Sequence, residues 1–358
     1  MKAAVFVGVN EPVSVEEVTP LDPGPNDVVV RIGASGVCHS DLSIVDGTLG
    51  FPPPTIIGHE GAGTVEAIGK DVTRVKVGDR VIASFVTQCG QCWFCQNDQP
   101  YVCAETYTAH ALPHATRADG TPLSCVGGLG TMAEAMTVTE RVLVPIQSDL
   151  PDEQLALIGC GITTGVGAAL RTGDVTPGSS VVVVGCGGVG QSVIQGARIA
   201  GAERIIAVDP VELKRDAATR LGATDVIDPT GTDPIEAVRA LTGGLGAQYG
   251  FEVVGRPETV AAMVDMVRPG GTAVVVGVMG PTDVISINGL GFIYGAKRIQ
   301  ASFCGSAVPS RDFPYYVKLA EQGELDLASM ISRRYSFDQV NEALDATAKG
   351  EVLRAMLV

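Results

Sequence analysis

The sequence predicts an α/β protein of two domains, one rich in β-strands and one built on a doubly wound parallel sheet. Three observations lead to this fold class. Up to about residue 150, short apolar runs alternate with turns rich in Pro, Gly and Asp. From about residue 155, continuous Val and Ile runs alternate with helix-like stretches, which is typical of a parallel sheet buried on both faces. A glycine-rich turn joins the first of these runs to the first of these helices.

The first half is predicted to form short strands in succession. AAVFV and VVVRI are the earliest, and turn segments such as DPGPND separate them. GTVEAIG, GDRVIAS and EAMTVTE continue the same alternation. This half is therefore expected to be an all-β opening of the chain.

In the second half, strands and helices are predicted to alternate. The apolar runs are VVVVG, RIIAVD, DVID, YGFEVVG and TAVVVGV. Helices are predicted near residues 189–200, 211–221, 234–241 and 257–267. After about residue 305, two further helix-like segments, YYVKLAEQGEL and QVNEALDATAKG, precede the short apolar end VLRAMLV.

The totals limit the function classes. A chain of 358 residues exceeds what one core usually serves, so two domains are expected. The net charge of −15 argues against binding to nucleic acid or to an anionic membrane surface. The first residues lack the pattern of a signal peptide, and no long uncharged apolar run is present, so a soluble cytoplasmic protein is expected. Nine cysteines, an odd number, favour metal ligation over a disulfide framework.

Four of the cysteines form one compact motif, CGQCWFCQNDQPYVC, with the spacing C-x₂-C-x₂-C-x₇-C. Its members are Cys89, Cys92, Cys95 and Cys103. Four thiolates can surround one tetrahedral zinc ion and leave no open position, so this site is expected to brace a loop without taking part in chemistry. A cysteine-ligated iron–sulfur cluster and a loop of free cysteines are the alternatives.

A second candidate metal site lies in the stretch GVCHSDLSIVDGTLGFPPPTIIGHEGAG, residues 36–63. Cys38 and His59 suit zinc, and glycines with three consecutive prolines fix a turn-rich backbone between them. We take the third ligand to be Cys160 in IGCGITTG. With three protein ligands, a fourth position stays open for water or a substrate oxygen, and zinc would lower the pKa of the group bound there. Asp41 is expected to fix the tautomer of His59.

The glycine-rich turn, VVVVGCGGVG, has the spacing G-x-G-x-x-G through Gly185, Gly187 and Gly190. It follows a Val strand and opens a helix, which makes it a strong dinucleotide-binding signal. Amides at the helix start would receive the phosphates, with Gly188 and Val189 inside the same turn. Asp209 ends the next strand, where a carboxylate accepts hydrogen bonds from a ribose diol and repels a 2′-phosphate, so NAD is favoured over NADP.

Together these motifs, in this order, resemble the zinc-dependent medium-chain alcohol dehydrogenases, and the resemblance runs from Met1 to Val358. A Cys₂His zinc site is the known ligand set of alcohol dehydrogenase. The resemblance implies a GroES-like catalytic domain over residues 1–160 and 305–358, and a Rossmann domain over 161–304.

The resemblance also implies roles for residues near the zinc. Ser40 would hydrogen-bond the substrate oxygen and pass on its proton, and Glu60 would lie behind the metal and exchange into its coordination. Ser43 departs from the family, in which many members have a histidine that ends the proton relay. Serine cannot store a proton near neutral pH, so we expect a relay through Ser40, the coenzyme ribose and water.

Around the coenzyme, the resemblance adds a set of candidate contacts. It implies phosphate, ribose or nicotinamide contacts for His39, Lys214, Arg354, Thr164, Val189, Val276 and Val278. Each also has an ordinary alternative, such as surface charge for Arg354 and core packing for the three valines. Phe85 and Leu49 match positions that line the alcohol pocket in relatives, which suits an uncharged substrate.

The sequence thus predicts an NAD-dependent alcohol dehydrogenase with one catalytic and one structural zinc, acting on primary alcohols, perhaps aromatic or medium-chain ones, and forming a homodimer or homotetramer. The alternatives are glutathione-linked formaldehyde oxidation, an alcohol:acceptor oxidoreductase that retains its NAD, a cysteine-thiolate redox protein, and a binding protein that kept the fold. His110 and His114, four residues apart, are expected to belong to a loop and to bind no metal.

Overall fold

A computed structural model describes residues 1–106 and 113–358, so His110 lies outside the described residues. The chain divides into two compact units, residues 1–161 with 308–358, and residues 162–307. The sequence-based division placed the boundaries after residues 160 and 304. The unit formed by residues 1–161 and 308–358 is called the first unit, and that formed by residues 162–307 the second unit.

The β-strands of the described residues are β1 Lys2–Phe6, β2 Ser14–Glu17, β3 Thr19–Pro20, β4 Asp27–Val37, β5 Thr55–Ile56, β6 Glu60–Ile68, β7 Arg80–Ala83, β8 Ala115–Thr116, β9 Pro122–Cys125, β10 Ala135–Thr139, β11 Leu143–Pro145, β12 Ser180–Val184, β13 Arg204–Val208, β14 Asp225–Ile227, β15 Ala247–Glu252, β16 Val267–Val275, β17 Arg298–Ala301, β18 Ile331–Tyr335 and β19 Arg354–Leu357.

The α-helices are α1 His39–Val45, α2 Trp93–Gln96, α3 Asp152–Leu157, α4 Thr163–Gly167, α5 Gly188–Ile199, α6 Glu212–Leu221, α7 Pro234–Leu241, α8 Pro257–Met266, α9 Gly289–Tyr294, α10 Pro309–Glu321 and α11 Val340–Ala348. Two π-helical turns, Ile158–Ile162 and Ala168–Thr172, flank α4.

The first unit is organised around β4, the longest strand, which pairs antiparallel with β6, β10 and β19. Val28 and Val30 alternate along β4 with less buried residues, as expected for a strand with one face covered. Both belong to a hydrophobic core of the first unit. In the registers, Gly36 lies opposite Glu60 and Val37 opposite Ala355. These pairings bring the end of β4 and the starts of β6 and β19 to one place.

The second unit has an all-parallel sheet with the order β14-β13-β12-β15-β16-β17. Counted within the unit, this is the order 3-2-1-4-5-6 of a doubly wound dinucleotide-binding sheet, with the reversal between β12 and β15. The central residues Val181, Val182 and Val183 are fully buried, because helices cover both faces. The predicted fold class is confirmed.

The four predicted helices of the second unit are α5 to α8, and each observed boundary lies within one residue of the prediction. The stretch 36–63 is more ordered than its turn-rich sequence indicates, because α1 begins directly after Cys38 and Glu60 opens β6. The helical run over residues 152–172 was not predicted.

That run, Asp152–Thr172, is long and apolar enough to cross a membrane by length and composition, with a mean hydropathy of 1.4. Within the structure, however, 78% of this window is buried. Burial of this extent is what a core helix shows.

Candidate metal centres and coenzyme site

The first cluster of metal-binding side chains consists of Cys38, His59, Glu60 and Cys160, whose ligand atoms all lie within 4.8 Å of one another. Cys38 stands between β4 and α1, and His59 and Glu60 stand at the start of β6. Cys160 comes from the π-helical turn Ile158–Ile162. The structure thus brings together the three predicted zinc ligands and the predicted exchangeable carboxylate.

Asp41 joins two members of this cluster. Its Oδ1 lies 3.1 Å from Nδ1 of His59, and its Oδ2 accepts a 2.9 Å hydrogen bond from the backbone N–H of Cys38. Burial by itself lowers the pKa of His59, but the charge and hydrogen bond of Asp41 raise it well above its ordinary value. When Nδ1–H is donated to Asp41, the lone pair of Nε2 is left for a ligand.

The two thiols of the cluster have opposite pKa shifts. The hydrogen bond between Cys38 and Cys160 lowers the pKa of Cys38 well below its ordinary value, against the effect of burial. The same bond, together with burial, raises the pKa of Cys160. Shifts of this kind are expected where two thiols share one proton.

Glu60 is fully buried and is held on one side only. Its Oε1 accepts hydrogen bonds from Nη2 of Arg354 at 2.6 Å and from the backbone N–H of Gly161 at 3.1 Å. Burial raises the pKa of Glu60 to about 7, although the charge of Arg354 opposes this shift. Oε2 has no hydrogen-bond partner among the described residues. The free oxygen is thus an unused acceptor in the cluster.

Arg354 itself is only 4% exposed, and its Nη1 also lies 3.4 Å from the carbonyl oxygen of Val37. Its Nε has no partner within the described part of the chain. A cation this deeply buried is possible because Glu60 lies against it. The sequence did not predict this ion pair, and the predicted phosphate contact of Arg354 stays a prediction.

The predicted proton-relay residues lie on α1. The hydroxyl of Ser40 is 3.8 Å from Sγ of Cys38. The hydroxyl of Ser43 donates to the backbone carbonyl of His39 at 3.2 Å, a bond within the helix. His39 is exposed. Ser40 is therefore the hydroxyl that lies next to the cluster.

Phe85 lies beside the same cluster, with its ring 5.9 Å from that of His59 in an edge-to-face arrangement. A Cβ atom at Gly127 would come within 2.7 Å of the Phe85 ring, so a glycine there makes room for the aromatic side chain. Leu49 is half-buried and packs against the core that contains Ile44 and Ile57. Phe85 thus places an apolar ring beside the cluster, whereas the predicted pocket contact of Leu49 stays a prediction.

The second cluster consists of Cys89, Cys92, Cys95 and Cys103, again within 4.8 Å of one another. Sγ of Cys89 lies 3.8 Å from that of Cys95, and Sγ of Cys92 lies 3.9 Å from that of Cys103. Backbone hydrogen bonds, first that of Ala104, lower the pKa of Cys92 to about 6, whereas burial raises the pKa of Cys95 to about 12.

In the second unit, the glycine-rich turn connects β12 to α5. Gly185 has a φ of +90°, which favours glycine, and a Cβ at Gly190 would lie 1.9 Å from the carbonyl oxygen of Gly185. At Gly187, the residue before α5, a Cβ would meet nothing within 4 Å. Gly188 and Val189 form the first turn of the helix. The backbone at Gly187 thus faces open space at a helix N-terminus, as a phosphate site requires.

Asp209 follows β13 and is 4% exposed. Its Oδ2 accepts a 2.8 Å hydrogen bond from the backbone N–H of Cys186, and its Oδ1 accepts one from Val211, also at 2.8 Å. Sequence reasoning did not identify Arg215, which donates to the carbonyl oxygen of Asp209 at 2.8 Å and pairs with Asp228 at 3.2 Å. The carboxylate is therefore held next to the glycine-rich turn.

The other predicted coenzyme residues of this unit differ in exposure. Lys214 is half-buried on α6, and Thr164 is half-buried on α4. Val276 is buried in the core and Val278 is 61% exposed. Val189 is half-buried and packs against the same core as Val276. Their contacts with a coenzyme stay predictions.

Two family models match the chain, an alcohol dehydrogenase GroES-like domain over residues 24–148 and a zinc-binding dehydrogenase domain over residues 188–322. Geraniol dehydrogenase of Castellaniella defragrans is 36% identical over 369 residues, covering 100% of this chain and 97% of the relative. The chain belongs to the zinc-dependent medium-chain alcohol dehydrogenase family.

Solved structures of similar proteins agree with this assignment. An alcohol dehydrogenase zinc-binding domain protein from Burkholderia ambifaria has a TM-score of 0.95 at 32% identity, covering 99% of this chain and 98% of that one. Benzyl alcohol dehydrogenase from Acinetobacter calcoaceticus has a TM-score of 0.93, also at 32% identity and with the same coverage. The protein is thus an enzyme of the alcohol oxidoreductase class.

Membership in a zinc-dependent alcohol dehydrogenase family raises the question whether the residues present fit zinc. Two thiols and one imidazole, close enough to share one ion, form a donor set that zinc prefers. Oε2 of Glu60, which has no hydrogen-bond partner among the described residues, is a fourth atom that could coordinate the ion. The cluster of Cys38, His59 and Cys160 fits the metal.

The four-cysteine cluster can be tested against zinc geometry. Four sulfurs at about 2.3 Å from a tetrahedral zinc lie about 3.8 Å apart. The distances of 3.8 and 3.9 Å match this value. A multi-iron cluster would hold its thiolates on different irons and farther apart. The structural-zinc interpretation therefore fits better than the iron–sulfur alternative.

Proposed function

We propose that the protein is an NAD-dependent oxidoreductase that interconverts a primary alcohol and its aldehyde, with one catalytic and one structural zinc per chain. The observation that carries this proposal is the convergence of Cys38, His59 and Cys160 within 4.8 Å. When bound, zinc lowers the pKa of an alcohol oxygen and oxidised nicotinamide accepts the hydride.

The chain's own residues prepare this reaction. Asp41 orients the imidazole of His59 and fixes the backbone of Cys38 through its two carboxylate oxygens. The hydroxyl of Ser40, beside Cys38, would accept the proton that leaves the substrate and pass its own hydroxyl proton on to water. The hydroxyl of Ser43 donates its hydrogen bond to the backbone carbonyl of His39 within α1, so Ser40 is the better placed of the two hydroxyls for this role.

Asp209 supports NAD as the coenzyme. The carboxylate is nearly buried and accepts two backbone hydrogen bonds, so its two oxygens are held in fixed positions. A 2′-phosphate brought near it would meet a fixed negative charge, whereas a ribose diol could donate to it. We therefore expect a preference for NAD over NADP.

The apolar side chains near His59 support an uncharged, aromatic or medium-chain substrate. The ring of Phe85 lies edge to face with that of His59, so an uncharged aromatic side chain stands beside the cluster. The relatives named geraniol dehydrogenase and benzyl alcohol dehydrogenase act on alcohols of this kind by their names. Glutathione-linked formaldehyde oxidation would need cationic pocket residues, and no observation favours it.

A substrate panel with metal analysis tests the proposal. Benzyl alcohol, geraniol, 1-hexanol and 2-propanol should be compared with NAD, NADP and an artificial electron acceptor. We expect NADH formation with the primary alcohols and about two zinc ions per chain. Activity only with the artificial acceptor would support a retained coenzyme, and activity after complete zinc removal would support a thiolate redox protein.

Cys160→Ser and Cys125→Ala form a matched pair for the same assay. Cys160 belongs to the cluster, whereas Cys125 is buried outside both clusters. We expect Cys160→Ser to lose one zinc and most activity, and Cys125→Ala to keep both. Equal activity in the two variants would contradict the proposed metal centre.

We also propose that two copies associate through a surface of the second unit, formed by α9 and the edge strand β17. Leu290, Ile293 and Tyr294 on α9 are 69%, 74% and 84% exposed. Within the described part of the sheet, β17 pairs only with β16, so one edge of its backbone is open. An exposed apolar helix beside an open strand edge is typical of a self-association surface.

The cellular setting is also proposed. None of the nine cysteines forms a disulfide, and eight of them stand in two clusters or alone as buried thiols, which suits the reducing cytoplasm. The net charge of −15 argues against nucleic acid or an anionic membrane as a partner. Small alcohols and aldehydes, and a second copy of the chain, are the proposed partners.

A further inference from the structure

Gln191 is a fully buried amide in the first turns of α5, directly after the last glycine of the glycine-rich turn. Its Nε2 donates to the backbone carbonyl of Cys186 and to that of Lys214, each at 2.8 Å. Because both partners are carbonyl oxygens, only the nitrogen of the amide can face them. Its Oε1 is left buried and without a partner among the described residues.

These two bonds close a ring of contacts. The Cys186 peptide also donates its N–H to Oδ2 of Asp209 at 2.8 Å, and Oδ1 of Asp209 accepts from Val211 N–H at 2.8 Å. The backbone N–H of Lys214 donates to the carbonyl of Val211 at 3.1 Å. The ring therefore joins the glycine-rich turn, Asp209 and the start of α6.

The amide is not a simple space filler. An apolar side chain of similar length would occupy the same buried space but would remove the donor from the carbonyls of Cys186 and Lys214, whereas the amide supplies both hydrogen bonds and leaves one buried oxygen, its Oε1, unsatisfied. What the amide adds is two donors in fixed directions, which hold two backbone segments at one distance.

We propose that Gln191 is a positioning residue for the coenzyme. It fixes the distance between the Cys186 peptide, in the turn that would receive the pyrophosphate, and the segment with Asp209 and Lys214, which would meet the adenine-side ribose. This inference rests on the proposed NAD-dependent function. Without the amide, the ring of contacts joins the turn to the start of α6 only through the hydrogen bond between Cys186 and Asp209, so the coenzyme must order both segments more when it binds.

The first test compares Gln191→Met with the wild type by calorimetric titration of NADH and NADPH. We expect the Kd for NADH to rise about tenfold, since two hydrogen bonds that preset the site are lost. The preference for NADH over NADPH should shrink, because Asp209 is less well placed to discriminate. The kcat at saturating NAD should stay within about threefold, which separates positioning from chemistry.

Gln191→Glu is the second variant, in case the methionine disturbs folding. It keeps the length and polarity of the side chain but presents carboxylate oxygens to the two carbonyls in place of N–H donors. We expect it to weaken NADH binding at least as much as Gln191→Met.

Ser192→Ala is the matched control. Ser192 is also fully buried on α5, and its hydroxyl donates to Gly188 within the same helix at 2.8 Å. Loss of that bond should leave the Kd for NADH within about twofold, because it does not connect the turn to α6.

Hydrogen exchange in the coenzyme-free protein gives a readout that is independent of activity. We expect faster exchange over residues 185–188 and 209–214 in the Gln191 variants, and not in Ser192→Ala. Unchanged exchange and an unchanged Kd for NADH would overturn the inference. If the wild type itself does not bind NADH, the proposed function fails instead, while the exchange experiment still tests the ring of contacts.

Discussion

At the scale of single residues, the carboxylate of Glu60 carries a large desolvation cost beside the first metal cluster, since it is fully buried and only one of its oxygens is bonded. Arg354 and the backbone N–H of Gly161 compensate part of this cost at Oε1. Asp41 also lies fully buried nearby and divides its two oxygens between His59 and Cys38. Buried charged side chains thus hold the cluster in place, Asp41 through His59 and Cys38, and Arg354 through Glu60.

Removing one partner of the buried pair should destabilise the first unit strongly. We expect Arg354→Met to lower the free energy of unfolding by about 3–5 kcal/mol, because Glu60 then remains buried without its counter-charge. Urea denaturation of the zinc-loaded protein measures this difference. The double variant Glu60→Gln/Arg354→Met should recover part of the loss, and a double variant as unstable as the single one would contradict the pairing.

Asp41→Asn should weaken zinc binding about 10–100-fold, because an asparagine cannot accept hydrogen bonds through both side-chain atoms from His59 and Cys38. Competition with a coloured chelator measures the affinity. Asp46→Asn serves as control, since Asp46 directly follows the same helix and its carboxylate accepts a hydrogen bond from the backbone N–H of Thr48, away from His59. Equal zinc affinity in both variants would argue against the role of Asp41.

At the scale of elements, two local segments and one strand pairing build the candidate sites. The segment 89–103 folds back on itself so that sulfurs from either end of the short helix α2 approach to 3.8–3.9 Å. The turn between β12 and α5 requires glycine at two positions. Gly185 has a positive φ, and a Cβ atom added at Gly190 would collide with the backbone. By contrast, the pairing of β19 with β4 joins distant parts of the chain.

Loss of one thiol from the four-cysteine cluster should release only the structural zinc. We expect Cys92→Ser to contain about one zinc per chain where the wild type contains about two, since three thiols hold the ion poorly. Hydrogen exchange should rise over residues 89–103 and stay unchanged over 185–190. Zinc content equal to that of the wild type would show that the cluster does not bind metal.

The contact between α3 and β18 predicts a dependence of stability on pH. The hydrogen bond and charge of Arg334 lower the pKa of Glu153 below its ordinary value of 4.5. A carboxyl with a lowered folded-state pKa stabilises the protein above its unfolded pKa, and this contribution is lost as the pH falls through the folded pKa.

We therefore expect the stability difference between the wild type and Glu153→Gln to be constant above about pH 5 and to vanish at lower pH. Urea denaturation across a pH series measures it, and the effect is small because Arg334 is 56% exposed. In an Arg334→Gln background, Glu153→Gln should show no such pH dependence. If the stability difference between the wild type and Glu153→Gln grew as the pH fell, the proposed stabilisation by the ionised Glu153 would be contradicted.

At the scale of the whole molecule, the two units have different tasks. The first unit holds both metal clusters, and the second holds the glycine-rich turn with Asp209. Each unit has a core of its own, one around β4 and one around β12. The most exposed apolar surface described above belongs to the second unit, so we expect this unit to provide the contact between copies.

The proposed dimer predicts a change of mass in solution. Ile293→Asp should turn a dimer into a monomer, because a charge would be buried in the apolar contact on α9. Light scattering coupled to size-exclusion chromatography measures the mass. Leu245→Asp is the control, since Leu245 is 65% exposed on a loop of the same unit, outside α9 and β17. A wild-type monomer, or an Ile293→Asp dimer, would disprove the proposed surface.

Much of the candidate site followed from the sequence, because its chemistry resides in short motifs. The spacing of four cysteines, the pair Cys38 and His59, and the glycine turn with Asp209 are local patterns that need particular residues at particular distances along the chain. The alternation of Val runs and helices likewise predicted the doubly wound sheet, since the period of the pattern reflects burial on both faces.

Only the tertiary structure showed which distant groups meet. Glu60 and Arg354 are 294 residues apart in the chain and join because β6 and β19 both pair with β4. The amide of Gln191 reaches two carbonyls that no spacing rule relates, and a polar residue at the start of an apolar helix was the one signal for it. Sequence patterns determine what each segment can form, whereas contacts between segments depend on strand register and helix packing, which are properties of the folded chain.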